Sequence, residues 1–415
     1  MIKFFHTADI HLGVENYGKI DTKTGIHSRL SDFANSLEQC INLAIEQSVD
    51  FFLFCGDAYK TAWPTPTQQR ILLNQLFKLQ KANIPIVIII GNHDHPLSFG
   101  KANSLDIFDC LPLPGFHVIS KPKILNLQTK NGPIQIVGIP WPTRNNIVTT
   151  QNYHSKSNEE ITVYLSQAVG QIVNNFANQL DPKVPSVLAG HLTMASGVFS
   201  GSEKCAIFGN DPIFLPSQLA IKPFDYVALG HLHRYQNLNP KGYPAIVYPG
   251  SIEKVDFGER KEQKGFCNVT IDTKTKNEER CSFEFIKLNT RPMLQIEVKL
   301  ETDKDQTEQI LQELEKHDLK DAIIKIIYHV SGDKKDKVDL QRIQIACEKA
   351  MYIASITPVR KVVIREKRAS LKVDMDFNTM LDKFFDTKEL DKDKKTRLLQ
   401  KAQNIYSQVK QEKEV

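Results

Sequence analysis

Residues 85–94 read PIVIIIGNHD, an apolar run that passes through glycine into three polar residues. The run is short and rich in isoleucine, which is typical of a strand buried on both faces of a parallel sheet. Its polar end offers an amide, an imidazole and a carboxylate, which are groups that bind metals and transfer protons. Such residues after a buried strand indicate a ligand site at the edge of an α/β sheet.

Four other stretches have the same arrangement. They read IKFFHTADIH at 2–11, FFLFCGD at 51–57, VPSVLAGH at 184–191 and YVALGHLH at 226–233. Because open α/β sheets bind ligands outside the carboxyl ends of their strands, the five loops are predicted to converge. Glycine directly precedes the first candidate ligand in four of the five loops, where it permits positive φ and a close approach of backbones.

The five loops supply one candidate ligand set: Asp9, His11, Asp57, Asn92, His191, His231 and His233. Carboxylate, imidazole and amide oxygen without thiolate suit octahedral Mn²⁺, Mg²⁺ or Fe²⁺ better than structural zinc. The set is too large for one ion and suits two, which together bind a phosphate and lower the pKa of a water. Asp57 is predicted to bridge the ions, because Asp9 is already paired locally with His11.

The loop after Asn92 supplies two candidate catalytic residues. His93 is predicted to reach over the metals towards the leaving oxygen and to protonate it. Asp94 is predicted to favour the imidazolium form of His93 by its negative charge.

Residues 1–288 alternate short apolar runs with helical patterns, which predicts an α/β domain. One helix is predicted from a face formed by Leu30, Phe33, Leu37, Ile41 and Ala44. Two more are predicted to start at the capping boxes of Thr65 with Gln68 and of Ser157 with Glu160. Two β-hairpins are predicted, within residues 124–139 and 266–286. Two stacked sheets with helices outside, a four-layer α/β/β/α core, account for this pattern.

The rest of the chain is predicted to form a small α+β capping domain at 289–370 and a helical arm at 371–415. In the capping domain, strands are predicted at Leu294–Leu300, Ala322–Val330 and Val362–Ile364, with helices at Asp305–Glu315 and Asp339–Met351. The arm has two apolar seams: Phe377, Leu381 and Phe384, then Leu398, Ala402, Ile405 and Val409. Such seams favour docking on a partner helix over packing on their own domain.

Composition limits the function only weakly. The net charge of +5 does not by itself argue for nucleic acid. The seven cysteines are scattered and odd in number, which indicates reduced thiols and a cytoplasmic protein. The longest apolar run, 84–90, is too short to span a membrane, so no membrane partner is expected.

The ordered motifs resemble those of the calcineurin-like metallophosphoesterases. Within that superfamily, residues 6–13, 56–61 and 248–259 resemble the SbcD nucleases and their counterparts in double-strand-break repair. The resemblance implies one ion held by Asp9, His11, Asp57 and His233, and another held by Asp57, Asn92, His191 and His231. It also implies Mn²⁺ as the metal, an exonuclease and endonuclease acting on DNA ends and hairpins, and a role in DNA repair and recombination. The implied partner is an SMC-like coiled-coil ATPase of the SbcC type, and a homodimer within a heterotetramer is expected.

The resemblance is incomplete at two positions. Some family members carry histidine where this chain has Lys60, so that role cannot be carried over, and His95 has no obvious counterpart. His6 is predicted to be structural rather than a ligand, and Trp141 to pack rather than stack on a base. The basic residues between Arg360 and Lys372 are either a solvated face or phosphate contacts.

Two other functions remain open. A small-molecule phosphodiesterase or phosphatase could use the same core, although it would need neither the capping domain nor the arm. A DNA-end tether, in which hydrolysis is incidental, is the second alternative.

Overall fold

The computed structural model describes residues 1–96, 101–110, 114–143, 157–201, 211–275, 280–301, 303–330, 337–360, 376–386, 388 and 390–412. The chain begins with β1 (Ile2–Thr7), α1 (Ser28–Glu46), β2 (Phe51–Cys55), α2 (Pro66–Lys81), β3 (Ile86–Ile89), α3 (Asp106–Cys110) and β4 (Phe116–Ile119). It continues with β5 (Lys123–Thr129), β6 (Gly132–Ile139), α4 (Asn158–Ala177), β7 (Ser186–His191), β8 (Thr193–Met194) and β9 (Ile213–Phe214). The core ends with α5 (Pro216–Leu219), β10 (Tyr226–Gly230), β11 (Gln236–Asn237), β12 (Ala245–Tyr248), β13 (Gly265–Ile271) and β14 (Cys281–Lys287).

The core strands form two six-stranded sheets. The first has the order β14-β13-β1-β2-β3-β4, and the second has the order β11-β12-β10-β7-β6-β5. Strands β1 to β4 run parallel to one another, as do β6, β7, β10 and β12. The two predicted hairpins are confirmed as the antiparallel pairs β5–β6 and β13–β14.

The layers follow from the alternation of side chains along each buried strand. Phe4 points into the apolar core between the two sheets, whereas its neighbour Phe5 packs in the core under α1 and α2. In the second sheet, Val187 belongs to the core between the sheets and Leu188 to the core under α4. Because both faces of both sheets are covered, the predicted four-layer α/β/β/α fold is confirmed.

Helices α2 and α4 begin at the predicted capping residues, and α1 buries the predicted apolar face. Thr65 caps α2 and Ser157 caps α4, each with a complete capping box. The predicted face of α1 is buried along its length, from Leu30 to Ala44. Burial of that apolar stripe, rather than the propensity of single residues, stabilises the helix on the sheet.

A smaller three-stranded sheet follows the core. Its elements are β15 (Met293–Lys299), α6 (Gln306–Leu314), β16 (Ile323–Val330), α7 (Leu340–Ala346) and β17 (Tyr352–Arg360), with sheet order β15-β16-β17. The β-α-β-α-β order is confirmed, but α7 is shorter than predicted. The third strand is β17, which the sequence did not predict, whereas the predicted strand Val362–Ile364 lies outside the described residues. Pro358 obscures the strand pattern, yet an edge strand tolerates proline.

Ion pairs connect the residues just before this sheet to the core. Arg291 donates to Asp32 of α1 through Nε at 2.7 Å and Nη2 at 2.5 Å. The same carboxylate accepts from the buried Arg29 at 2.9 Å. Nearby, Phe257, Met293 and Ile323 form a small apolar cluster. The carboxylate of Asp32 therefore serves both the core and the domain that follows it.

The described chain divides into two compact units, one of 1–328 with 337–358 and one of 329–336 with 359–415. The second unit contains α8 (Phe377–Asp386) and α9 (Lys392–Glu412), whose Phe377 and Tyr406 rings stack with centroids 4.1 Å apart. The predicted boundaries at 288 and 370 stay predictions. Among the described residues, no helix has both the length and the apolar character to cross a membrane. The cysteines in the described part of the chain are all free thiols.

Candidate metal centre

The candidate ligands stand where the carboxyl ends of both sheets meet. Asp9, Asp57 and Asn92 follow β1, β2 and β3 of the first sheet, and His191 and His231 come at the ends of β7 and β10 of the second. Four of the seven candidates have positive φ, a rare conformation for residues other than glycine: Asp9 (53°), His11 (50°), Asp57 (59°) and His231 (108°). Such strained backbone is found mainly at functional sites.

One group of donor atoms consists of Asp9, His11 and His233, whose nearest ligand atoms all lie within 4.8 Å of one another. The Nε2 atoms of His11 and His233 face each other at 2.9 Å. Both residues are almost fully buried. Two imidazole nitrogens at this distance either share a proton or point at a common cation.

A second group consists of Asp57, His191 and His231, again within 4.8 Å. Asn92 completes it, because its Oδ1 lies 2.9 Å from His191 Nε2 and 3.1 Å from His231 Nδ1. An amide oxygen surrounded by two imidazoles is a typical metal-ligand arrangement.

Asp57 lies between the two groups. Its Oδ2 is 3.3 Å from His191 Nε2 of the second group and 3.8 Å from His11 Nε2 of the first. The structure therefore brings all seven candidates together in two adjoining groups that meet at this carboxylate. Their role as ligands, and the bridging role of Asp57, stay predictions.

Glycine is required at two points of this arrangement. A Cβ on Gly91 would come within 2.1 Å of Asp57 Oδ1, and one on Gly230 within 1.9 Å of the Cys55 carbonyl oxygen. A side chain at position 91 would push apart the loops after β2 and β3 of the first sheet, and one at position 230 would separate β10 of the second sheet from β2 of the first. The glycines before the ligands thus allow close approach, as the sequence predicts.

In the centre, neighbouring charges shift the pKa values of Asp57 and His191 in the opposite direction to burial. Burial would raise the pKa of the Asp57 carboxyl, but His191 and His93 outweigh it and hold that pKa well below its usual range. Burial would lower the pKa of His191, but Asp57 outweighs it and raises that pKa to about 9. Imidazole must be neutral to bind a metal, so a cation that entered here would displace the proton of His191.

His93 is exposed, unlike the buried candidate ligands around it. Its backbone N–H donates to Asp57 Oδ1 at 2.9 Å, and its Nδ1 donates to the carbonyl oxygen of Lys60 at 2.7 Å. Its ring centroid is 5.0 Å from that of His11. Fixed in this way, His93 presents Nε2 as the atom that can carry or deliver a proton. Lys60 contributes through its backbone, at the position where some family members have histidine.

Asp94 has other partners than the sequence predicts. Its fully buried carboxylate accepts backbone N–H bonds from Asp57 at 2.8 Å, Ala58 at 2.9 Å and Gly91 at 3.1 Å. Burial, with the charge of Asp57, raises the pKa of Asp94 to about 7. Asp94 therefore joins the loops after β2 and β3, and its predicted effect on the imidazolium form of His93 stays a prediction.

Sequence reasoning missed two acidic residues beside the histidines. Glu259 accepts from His233 Nδ1 at 2.8 Å and pairs with the buried Lys264 at 2.8 Å. Asp211 Oδ2 lies 3.7 Å from His231 Nε2. Carboxylates in such positions fix which imidazole nitrogen faces a metal. The signal for Glu259 was its presence in the stretch 248–259, which carried the resemblance but no assigned role.

Three other residues are accounted for by their contacts. His6 is buried and contacts Tyr226 Oη and the Leu229 carbonyl oxygen, each at 3.2 Å, so it is structural. His95 Nδ1 donates to the Pro96 carbonyl oxygen at 2.9 Å. Trp141 is half-buried, with its ring centroid 4.9 Å from that of His231. Of the basic segment, only Arg360 lies within the described residues.

A family model described as calcineurin-like phosphoesterase matches residues 2–235, more than half of the chain. The chain belongs to the calcineurin-like phosphoesterase family. The match contains all seven candidate ligands and ends before Glu259. Among solved structures, a crystal structure of a dimetal phosphatase from Danio rerio is similar at 10% identity and a TM-score of 0.40. That similarity covers 65% of this chain and 92% of the other.

The residues fit the two metal ions that the family implies. The donor atoms are carboxylate and amide oxygens and imidazole nitrogens. Asp57 belongs to a donor group with His191 and His231 and to another with His11 and His93, so it connects the two sides of the centre. The facing nitrogens of His11 and His233 give an independent reason, because a cation between them would satisfy both lone pairs. The protein is therefore a metal-dependent phosphoester hydrolase of this family.

Proposed function

We propose that the protein is a manganese-dependent DNA nuclease of the SbcD type, cutting DNA ends and hairpins in repair and recombination. The observation that carries the proposal is an exposed His93 beside two buried donor groups that meet at Asp57. This geometry leaves the centre open on the side of His93, where a phosphodiester of a long polymer can enter.

The residues of the chain divide the chemistry between them. Asp9, His11, Asp57 and His233 would hold one ion, and Asp57, Asn92, His191 and His231 the other. When bound, the two ions supply Lewis acidity that polarises the phosphate and lowers the pKa of water. His93 donates to the Lys60 carbonyl through Nδ1, so its Nε2 can protonate the departing 3′ oxygen. Glu259 and Asp94 keep His233 and the two loops in position.

DNA as the substrate is supported by two features outside the metal centre. Residues 6–13, 56–61 and 248–259 resemble the SbcD branch in particular. A separate three-stranded sheet, β15 to β17, follows the core, and a small-molecule phosphatase needs no such addition. A phosphatase or small phosphodiesterase on the same core remains the competing function.

The proposed partner is a coiled-coil ATPase of the SbcC type. Helices α8 and α9 carry exposed apolar side chains, including Phe384, Ile405 and Val409. Amphipathic helices with such residues dock into the groove of a partner helix pair. A homodimer within the complex is part of the same proposal.

The test compares Mn²⁺-dependent cleavage of linear duplex and hairpin DNA with hydrolysis of bis(p-nitrophenyl) phosphate. We expect DNA to have the much higher kcat/KM. His93→Ala should keep bound Mn²⁺ but lose roughly 10²- to 10⁴-fold in kcat, whereas Asp57→Ala should lose the metal. Rapid hydrolysis of the small ester without DNA cleavage, with or without an SbcC-type ATPase and ATP, would refute the DNA assignment. Normal cleavage by His93→Ala would refute its role as the acid.

A further inference from the structure

Trp63 is an exposed aromatic residue on the loop that holds His93. It lies three residues after Lys60, whose carbonyl oxygen accepts from His93 at 2.7 Å. Three residues of chain span at most about 11 Å, so the backbone of Trp63 lies within that distance of the residue that holds His93. Its side chain is 66% exposed, a large apolar area for a protein to leave in water.

Lys101 gives the indole a cationic neighbour. Its Nζ lies 5.0 Å from the Trp63 ring centroid, within the range of a cation–π contact. The two residues belong to different loops, which follow β2 and β3 and also carry Asp57 and Asn92. Lys101 stands over one face of the indole. An aromatic ring with a cation at one face can bind single-stranded nucleic acid, because a base stacks on the opposite face while a phosphate meets the charge.

The chain has two tryptophans, Trp63 and Trp141, which differ in their exposure. Trp141 packs against His231 and is half-buried, so it supports the donor group of Asn92 and His191. Trp63 has no such supporting role, since most of its surface faces solvent. Its exposure is explained if a flat ligand covers it during the reaction.

We propose that Trp63 and Lys101 form a subsite that stacks one unpaired nucleobase next to the scissile phosphate. The inference rests on the proposed function and adds to it a preference for frayed ends, hairpin loops and single strands over paired duplex. A paired base has no free face for the indole, so the strand must be unstacked at this point before it is cut.

The experiment measures binding and cleavage separately with the full-length protein in Mn²⁺. Binding of a labelled single-stranded oligonucleotide is followed by fluorescence anisotropy in a His93→Ala background, which limits cleavage. Trp63→Ala should raise Kd roughly 5- to 100-fold, and Trp63→Phe should restore most of the affinity, because base stacking on aromatics has this range. Ile345→Ala removes a side chain on α7 that is 64% exposed, and it serves as the matched control.

An abasic residue moved along the oligonucleotide locates the stacked base. At one position it should weaken binding to protein with Trp63 intact and have no further effect on Trp63→Ala. Lys101→Gln should reduce the slope of log Kd against log salt by about 0.7, the value for one phosphate on a single strand. The subsite is refuted if Trp63→Ala binds within twofold of its parent, or if abasic positions affect both proteins equally. Cleavage of the same oligonucleotide is measured with His93 intact, and a protein that binds through Trp63 but then cuts no DNA would refute the proposed nuclease instead.

Discussion

At the residue scale, the centre depends on buried side chains that form hydrogen bonds with the candidate ligands and fix their orientation. Glu259 is the clearest case, because one oxygen accepts from His233 and the other pairs with Lys264. Burial would raise the pKa of Glu259, but Lys264 and His233 outweigh it and lower that pKa below its usual range. The carboxylate is therefore charged and fixes the imidazole with Nε2 towards His11.

Replacing Glu259 with glutamine should weaken the metal centre. The variant keeps an oxygen for His233 but leaves Lys264 without its closest counter-ion, so we expect Mn²⁺ affinity to fall roughly 10- to 100-fold. Titration calorimetry measures the affinity. Glu262→Gln is the matched control, because Glu262 contacts the same lysine at 3.1 Å. Equal effects of the two variants would mean that the Mn²⁺ affinity depends on neutralising the charge of Lys264 rather than on the orientation of His233.

His6 should make stability depend on pH. Burial lowers the pKa of His6 to about 3, so the folded protein keeps it neutral while the unfolded chain protonates near its ordinary value. Between these values the unfolded state binds more protons, so stability falls as the pH drops below about 6.5, by up to about 1.4 kcal/mol per pH unit. His6→Gln removes this contribution. Urea unfolding from pH 7 to pH 4 should give a flatter profile for the variant, and parallel profiles would contradict the assignment.

At the scale of elements, the parallel strands determine where the chemistry can occur. The loops after β2 and β3 are joined by one acceptor, Asp94, which binds the backbone of Asp57, Ala58 and Gly91. Because two loops share this carboxylate, a change at Asp94 moves Asp57 and Asn92 together. Asp94 thus affects the metal centre through the backbone.

Replacing Asp94 with asparagine should lower both stability and metal affinity. The amide nitrogen would face backbone N–H groups, and donors left without an acceptor cost about 1–3 kcal/mol. Thermal unfolding and Mn²⁺ calorimetry measure the two effects. Asp305→Asn is the control, because Asp305 also accepts two backbone N–H bonds, at the start of α6. If Asp94→Asn lost only kcat, the prediction that the charge of Asp94 favours the imidazolium form of His93 would be supported instead.

Many of the strands, helices and hairpins could be predicted from the sequence, because they depend on local patterns. Buried strands, capped helices and hairpins follow from periodicity over a few residues, and glycine before a ligand indicates close approach. The role of Glu259 was not predictable, because its partner His233 is 26 residues away along the chain and no periodicity connects them. Asp94 was assigned to its sequence neighbour, whereas tertiary structure gives it partners 36 and 37 residues away. Strand β17 was missed because its polar residues and Pro358 hide an edge strand.

At the scale of the whole molecule, a buried carboxylate joins the core to the three-stranded sheet that follows it. Asp32 accepts from Arg29 of its own helix and from Arg291, just before β15. Arg291→Met should remove the second contact and lower the free energy of unfolding by about 1–3 kcal/mol, with faster proteolysis near residue 290. Arg342→Met is the control, because the pair of Arg342 with Glu308 is exposed and such pairs contribute about 0–1 kcal/mol. Indistinguishable unfolding and proteolysis of the two variants would contradict this role.

The two donor groups have a consequence for how the protein unfolds. Each group takes ligands from both sheets: Asp9 and His11 with His233, and Asp57 and Asn92 with His191 and His231. Occupancy by metal and association of the sheets are therefore thermodynamically linked, since any ion that binds only the closed arrangement stabilises it by mass action. Removing the ions should weaken the association of the two sheets, whose ligand-bearing strands are far apart in sequence. The centre of a phosphoester hydrolase is then also a reversible cross-link, and chelation would act on folding as well as on catalysis.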